Sequence, residues 1–270
     1  MRTSKKIASK QNISIIIPVH EMNDTVKPLY ERSLESAIAT DCNILVVSAT
    51  NKINDELLTI KNAFNKNITY AIKNDEKTDF CSMVNFGVEH LDSSSDYFMI
   101  LEMDDVINPQ VFKQNIYSYM NAKKDYSVFI PLTYLFNSKG DKFEGFINEL
   151  PLTPSFSKEI GCIDKDSLSD VFVFNLTGAV FSKEVWNRLG GLKSSIKVYF
   201  WYELMLRYTS HNVNFFVYPK VAYHHYLQRE NSLFDTYVKT VSEKENKFWL
   251  DVAKNNYTNN DDAFVYNNKD

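Results

Sequence analysis

The sequence predicts one α/β domain built on a largely parallel central sheet flanked by helices, and three observations carry that prediction. Apolar β-branched runs alternate with amphipathic stretches from Ile13 to Leu101, the pattern of β–α–β units with right-handed crossovers. The runs are unbroken rather than alternating, as in strands covered on both faces. One of them, Tyr97–Leu101, ends abruptly in Glu102, Asp104 and Asp105. In an open α/β sheet the carboxyl end of a central strand faces the ligand crevice.

Taken in order, Ile13–Val19 (ISIIIPV) reads as the first strand. Polar HEMND follows, then a helix with Leu29, Leu34, Ala37 and Ile38 on one face. Cys42–Val47 is the second strand, Ile53–Phe64 the second helix and Ile68–Ile72 the third strand. Met83, Val84, Gly87, Val88 and Leu91 have helical spacing within Phe80–Leu91. Past the acids, Pro109 suits the first turn of a helix, which runs through Tyr119 to a strand at Tyr126–Phe136. Asn137–Asp170 lacks periodicity and reads as a variable insertion, either a functional lid or a disordered segment. Phe172–Phe181 resumes strand character, and the helix after it ends at Gly190–Gly191. Tyr199–Thr209 and Asn214–Tyr223 read as helix and strand. The domain is expected over residues 1–232, a packing helix at 233–254, and a polar, disordered tail at 255–270.

Composition narrows the function classes. At 270 residues with 44% hydrophobic content the chain can bury a full core. A net charge of −4 gives no basic footprint for non-specific nucleic-acid binding. Cys42, Cys81 and Cys162 are odd in number and lack C-x-x-C spacing, which argues against a disulfide framework or structural zinc and favours a reducing compartment. The basic N-terminus has no apolar stretch behind it, and Pro18, His20 and Glu21 interrupt the first apolar run. A soluble, cytoplasmic protein without a signal peptide or transmembrane segment is the expectation.

The acids carry the chemistry. Carboxylates crowded at a strand end repel one another, and a divalent cation holds such a group together at neutral pH. An acidic turn capping the next helix is the other reading of the same residues.

Six segments, in order over Ile13–Leu233, resemble the inverting family 2 glycosyltransferases of GT-A fold. ISIIIPVHEMND is similar to the family's opening strand and nucleotide loop, and MVNFGVEHL to its N-x-G helix. ILEMDDVINP resembles the D-x-D segment, and TGAVFSKEVWNRLGGL the acceptor-side strand and helix. YELMLR resembles the block carrying the catalytic base, and HHYLQRENSL the closing loop. The sequence departs from the family at four places, one being Arg229 where the family's metal-ligating His stands. Glu102 replaces the first acid of D-x-D, Ser48 and Ala49 stand where an Asp usually contacts the nucleotide, and Phe200 and Trp201 align with the acid pair that supplies the base.

The resemblance implies transfer of a sugar, with inversion, from a nucleotide-diphosphate donor. The acceptor would be a glycan, glycolipid, protein or modified nucleic acid. Glu102 and Asp104 are expected to hold Mn²⁺ or Mg²⁺ with oxygen ligands, with His225, or alternatively its neighbour His224, as a third ligand. Donor contacts are expected from Pro18, His20, Glu21 and Asp24 in the opening loop, from Ser48 and Asn85, from Glu102, Met103 and Asp104, and from Arg229 on the diphosphate. Asp24 is equally readable as a helix cap and Arg229 as a solvated surface group. Asp105 would bind donor hydroxyls or orient the loop. Glu203 is the candidate base, its alternative being an ion pair with Arg207 one helical turn on. A competing function is a degenerate GT-A domain that binds a nucleotide sugar or a partner without turnover.

Overall fold

The computed structural model describes residues 12–75, 79–137, 139, 142–168, 174–227, 237, 239–258 and 264–267. Its first half follows the expected alternation: β1 (Ile13–Val19), α1 (Lys27–Ile38), β2 (Asn43–Ser48), α2 (Asn51–Leu57), β3 (Ile68–Ile72), α3 (Phe80–Glu89) and β4 (Tyr97–Ile100). β5 (Val106–Ile107), α4 (Pro109–Ala122) and β6 (Val128–Phe136) follow. Then come β7 (Phe143–Ile147), a 3-10 turn at Leu150–Leu152, β8 (Cys162–Ile163), β9 (Val180–Ser182) and α5 (Lys183–Leu189). The last described elements are α6 (Phe200–Ser210), β10 (Phe215–Tyr226) and α7 (Glu243–Asn255).

Among the described residues ten strands form one sheet in the order β3-β2-β1-β4-β9-β6-β10-β5, with β7 on β6 and β8 on β10. The ladders β1–β2, β1–β4, β2–β3 and β6–β10 are parallel and hold most of the register, so the sheet is mostly parallel as expected. β9 pairs antiparallel with both β4 and β6 and joins the two parallel halves.

Side chains alternate across each strand, and the alternation sorts the core into two layers. Ile16, Leu45, Val47, Phe98 and Ile100 pack on one face with Met83 and Val84 of α3, Trp186 of α5 and Met205 of α6. Ile15, Ile17, Val19, Val46 and Met99 pack on the other with Tyr30 and Leu34 of α1 and Phe112 and Ile116 of α4. All seven residues of β1 are buried, which is why that segment reads as an unbroken apolar run. α3 lies so close to the sheet that a Cβ on Gly87 would stand 2.7 Å from a methyl of Ile16. That contact fixes how near the helix can approach.

Several boundaries differ from expectation for local reasons. α2 stops at Leu57 rather than reaching Phe64, and Asn62 in the turns beyond it is left-handed at φ 68°. Asn137–Asp170 contains β7, the 3-10 turn and β8. Among the described residues only Val180 and Phe181 of the expected strand Phe172–Phe181 are paired, within β9, and residues 169–173 lie outside the described set. The expected helix from Leu233 also begins outside the described residues, and α7 covers Glu243–Asn255. Phe264 and Tyr266, in the stretch expected to be a disordered tail, pack on the cluster built from Ile196, Trp249 and Val252. No helix among the described residues is long and apolar enough to cross a membrane.

Candidate functional site

The site forms where β4 ends. Leu101 N–H still donates to Ile16 O at 2.9 Å, and then the chain turns, with Asp105 N–H donating to Glu102 O at 3.1 Å. β5 next pairs antiparallel with β10, setting Val106 opposite His224. That pairing brings the following residue of β10 against the acids. His225 Nδ1 lies 2.8 Å from Asp105 Oδ2, and Tyr226 N–H donates to Asp105 Oδ1 at 3.0 Å.

Helix α1 pins the acidic turn from below. Ser33 Oγ donates to Glu102 O at 3.1 Å, Arg32 Nη2 donates to Asp104 O at 3.1 Å, and Ser36 Oγ accepts from Ile107 N–H at 3.1 Å. From β10, the Tyr223 hydroxyl accepts from Glu102 N–H at 3.2 Å. Gly178 lies flat against the Tyr223 ring, where an added Cβ would come within 2.4 Å, and its φ of +79° suits only glycine well. None of these supporting residues is evident from sequence reasoning. Their one signal is the placement of Arg32, Ser33 and Ser36 on a single helical face in ERSLES.

Among the described residues, donor atoms of Glu102, Asp105 and His225 lie within 4.8 Å of one another, a separation that fits one cation. Burial pushes the Glu102 carboxyl up to about 8, helped by the Asp105 and Asp104 charges and opposed by His225 and a Thr177 hydrogen bond. Burial also raises Asp105, with His225 opposing. For His225 burial acts downward, yet the Asp105 charge and hydrogen bond, with Glu102 and Asp104 beyond, lift it to about 10. The two carboxyls resist ionisation chiefly because they are buried, and a bound dication would favour their charged forms and release the protons.

The other expected site residues are dispersed. Asp104, expected beside Glu102 and His225, is not among the converging donors; Asp105 is the carboxylate that meets them. The reason is the turn itself, which sends Asp105 rather than its neighbour toward β10. The Met103 side chain is buried in the core beneath α1 and α4 and has no surface to offer a donor. Pro18 is buried within β1 opposite Val47. His20 and Glu21 follow it at the same end of the sheet, Nε2 to Oε1 3.6 Å apart. Asp24 is exposed, and Asn23 rather than Asp24 caps that turn by accepting from Thr25 N–H and Val26 N–H. Ser48 is fully buried, its Oγ donating to Ala71 O at 3.4 Å.

Asn85 is engaged from both ends by one residue. Its amide donates to Leu192 O at 2.7 Å and accepts from Leu192 N–H at 2.9 Å. This fastens the loop after α5 to α3 and leaves the amide little capacity for a nucleotide. Glu203 is fully buried and faces two cations. Arg207 donates to it through Nε and Nη2, each at 2.9 Å, and Lys193 Nζ stands 2.9 Å away. Arg207 also donates to the carbonyls of Leu189, Gly190 and Gly191. Of the two sequence readings of Glu203, this geometry is that of the ion pair. His224 points away from the acids and stacks on Tyr134. Arg229 lies outside the described residues.

No protein-family model and no curated protein sequence matches the chain. Solved structures do match. S. aureus TarS 1–349 in complex with UDP-GlcNAc is 13% identical over 86% of this chain and 62% of its own, with a TM-score of 0.58. The mannosyltransferase PcManGT from Pyrobaculum calidifontis, in complex with GDP-Man and Mn²⁺, is 13% identical over 83% of this chain and 59% of its own, also with a TM-score of 0.58. The chain therefore spans about six tenths of the length of these structures. At this identity the likeness establishes fold: the protein has the α/β architecture of these glycosyltransferase structures.

Proposed function

We propose that the protein is a glycosyltransferase that takes a sugar from a nucleotide-diphosphate donor, with a divalent cation held by Glu102, Asp105 and His225. The observation that carries this reading is the convergence of two carboxylates and an imidazole at the carboxyl end of β4. It gains support from the shared fold, since TarS binds UDP-GlcNAc and PcManGT binds GDP-Man with Mn²⁺. The donor set fits such an ion: two hard oxygens and one imidazole suit Mn²⁺ better than Mg²⁺, which favours oxygen and water alone.

When bound, the cation would offset the charge that develops on the departing diphosphate. Asp105 acts through both carboxylate oxygens, one fixing His225 and the other held by Tyr226 N–H. Glu102 is oriented through its backbone by Tyr223 and Ser33. Asp104 lies on the same turn, its carbonyl held by Arg32, and is assigned to donor sugar hydroxyls. His20 and Glu21, which follow the end of β1 beside β4, are assigned to the donor. In transfer with inversion the bond from the anomeric carbon to phosphate breaks as the acceptor oxygen attacks the opposite face and surrenders its proton to a base.

A second reading has an observation of its own. Phe200 and Trp201 open α6 and the Glu203 carboxylate is closed by Arg207 and Lys193, so α6 offers no free base. A domain that binds a nucleotide sugar without transferring it would look the same there. Thermal-shift titration with UDP-GlcNAc and GDP-mannose, with and without Mn²⁺, tests the donor reading. Stabilisation that requires both sugar nucleotide and cation is expected, and Asp105→Asn should remove it. Donor hydrolysis or transfer then separates enzyme from binding module. No response to either donor in the presence of Mn²⁺ would overturn the proposal.

A further inference from the structure

Beside the acidic turn the sheet carries a set of aromatic rings that belongs to none of the three buried clusters. Cross-strand register assembles it. Tyr134 of β6 stands opposite Phe146 of β7 and His224 of β10, and Phe136 stands opposite Phe143 and Tyr226. The rings touch in a continuous series, Phe146 to Tyr134 at 5.7 Å, Tyr134 to Phe143 at 5.2 Å and Phe143 to Phe136 at 6.1 Å. Phe136 then stacks on Tyr226 at 5.5 Å, and the Arg32 guanidinium covers the Tyr226 ring at 3.9 Å. The outer end is open to solvent: Phe143 is 48% and Phe146 51% exposed.

We infer that this aromatic ledge is an acceptor subsite that stacks a sugar ring of a carbohydrate. The inference rests on the glycosyltransferase reading and names the substrate class of the same site. Continuity with the transfer centre is the first argument. Tyr226 belongs to both, its N–H on Asp105 and its ring on Phe136. Size is the second. A phenylalanine offers roughly 150–250 Å² in all, so two half-exposed rings present on the order of 200 Å². A stable contact with a second copy needs about 800 Å² on each side. The open rings suit one or two sugar residues.

Chemistry is the third argument. A pyranose has a face of C–H bonds and a rim of hydroxyls. The ledge offers flat ring faces beside polar groups: the Tyr134 hydroxyl, the His224 imidazole and the Lys142–Glu144 ion pair, 2.9 Å apart on the same hairpin. An acyl chain would meet those charges without compensation.

The test is retention of the full chain on an array of oligosaccharides, without donor. Variants are Phe143→Ala/Phe146→Ala, Phe143→Leu/Phe146→Leu and Phe143→Tyr/Phe146→Tyr. The wild type should retain at least one oligosaccharide class. The alanine and leucine pairs should weaken it by about tenfold or more, and the tyrosine pair should restore it. Leucine keeps apolar area but has no ring face, so it separates stacking from general hydrophobic docking. Absence of any retained oligosaccharide, equal retention by the alanine or leucine pair, or Phe-dependent binding to phosphatidylglycerol–phosphatidylcholine vesicles instead would each overturn the inference. Thermal shifts with UDP-GlcNAc or GDP-mannose and Mn²⁺ should be the same in all variants. Donor binding with an inert ledge overturns the ledge alone, whereas no donor binding overturns the glycosyltransferase reading first.

Discussion

Replacing Glu203 by glutamine separates a catalytic role from an architectural one. The carboxylate is fully buried and is the negative partner for both Arg207 and Lys193, whose side chains are 3% and 6% exposed. Glutamine keeps the shape but leaves two buried cations facing a neutral group. Breaking a buried ion pair by removing one partner costs about 3–5 kcal/mol. For a chain of this size each kcal/mol lowers Tm by about 2–4 °C, so Glu203→Gln should melt about 6–20 °C early. Arg207 also holds the carbonyls of Leu189 at the end of α5 and of Gly190 and Gly191 after it, so the loss should spread to the Leu192 contact with Asn85. The assay is thermal or urea denaturation, followed by donor turnover per folded molecule well below both transitions. A variant with unchanged Tm and abolished turnover would refute the structural assignment and restore Glu203 as a base.

Gly178→Ala should destabilise by about 2–5 kcal/mol, adding left-handed strain to a clash with the Tyr223 ring, and urea midpoints will report it. Because that ring carries the hydroxyl on Glu102 N–H, the variant should also weaken Mn²⁺ stabilisation; a variant as stable as wild type would show that the ring moves freely. The pH dependence has a definite sign. Glu102 rises from 4.5 to about 8 and His225 from 6.5 to about 10, so folding binds protons here. The stability they contribute is complete below their unfolded values and is lost as pH climbs through the folded ones. Without added cation, Tm should therefore fall from about pH 4.5, the unfolded value of Glu102, to about 10, the folded value of His225, while Mn²⁺, which displaces those protons, should stabilise more strongly over the same interval. A Tm that rises across that window contradicts the assignment. Asn85→Ala should cost about 1–3 kcal/mol by leaving the Leu192 backbone groups unpaired and should leave donor affinity unchanged; a lost donor response in the folded variant would return Asn85 to the nucleotide.

What the sequence revealed depended on how local the deciding forces were. Ile13–Val19 is legible to the residue because burial on both faces selects apolar side chains almost throughout, and the edge strand Ile68–Ile72 keeps its expected bounds although only partly buried. Lys27–Ile38 and Pro109–Ala122 announce themselves by apolar spacing and proline. Val106–Ile107 and Cys162–Ile163 are too short to carry a period, and only β10 makes them strands. At the site, the acidic turn is visible in the chain, but which carboxylate joins Glu102 is decided by β10 arriving from more than a hundred residues away. The same distance hides Tyr223 and Gly178. Glu203 has two readings in the sequence because its spacing to Arg207 is local, whereas Lys193 comes from the loop between α5 and α6.

The short strand Val180–Ser182 closes the seam between the two halves of the sheet. Its neighbours are complete in the chain before it is, so a nascent molecule holds β4 and β6 without the strand that joins them while residues 137–179 are still to come. Pairing across such sequence separation is slow and leaves partly folded chains prone to edge-to-edge association. The acidic turn waits longer still, because Tyr223, His225 and Tyr226, which hold it, belong to β10 and follow β9 in the chain.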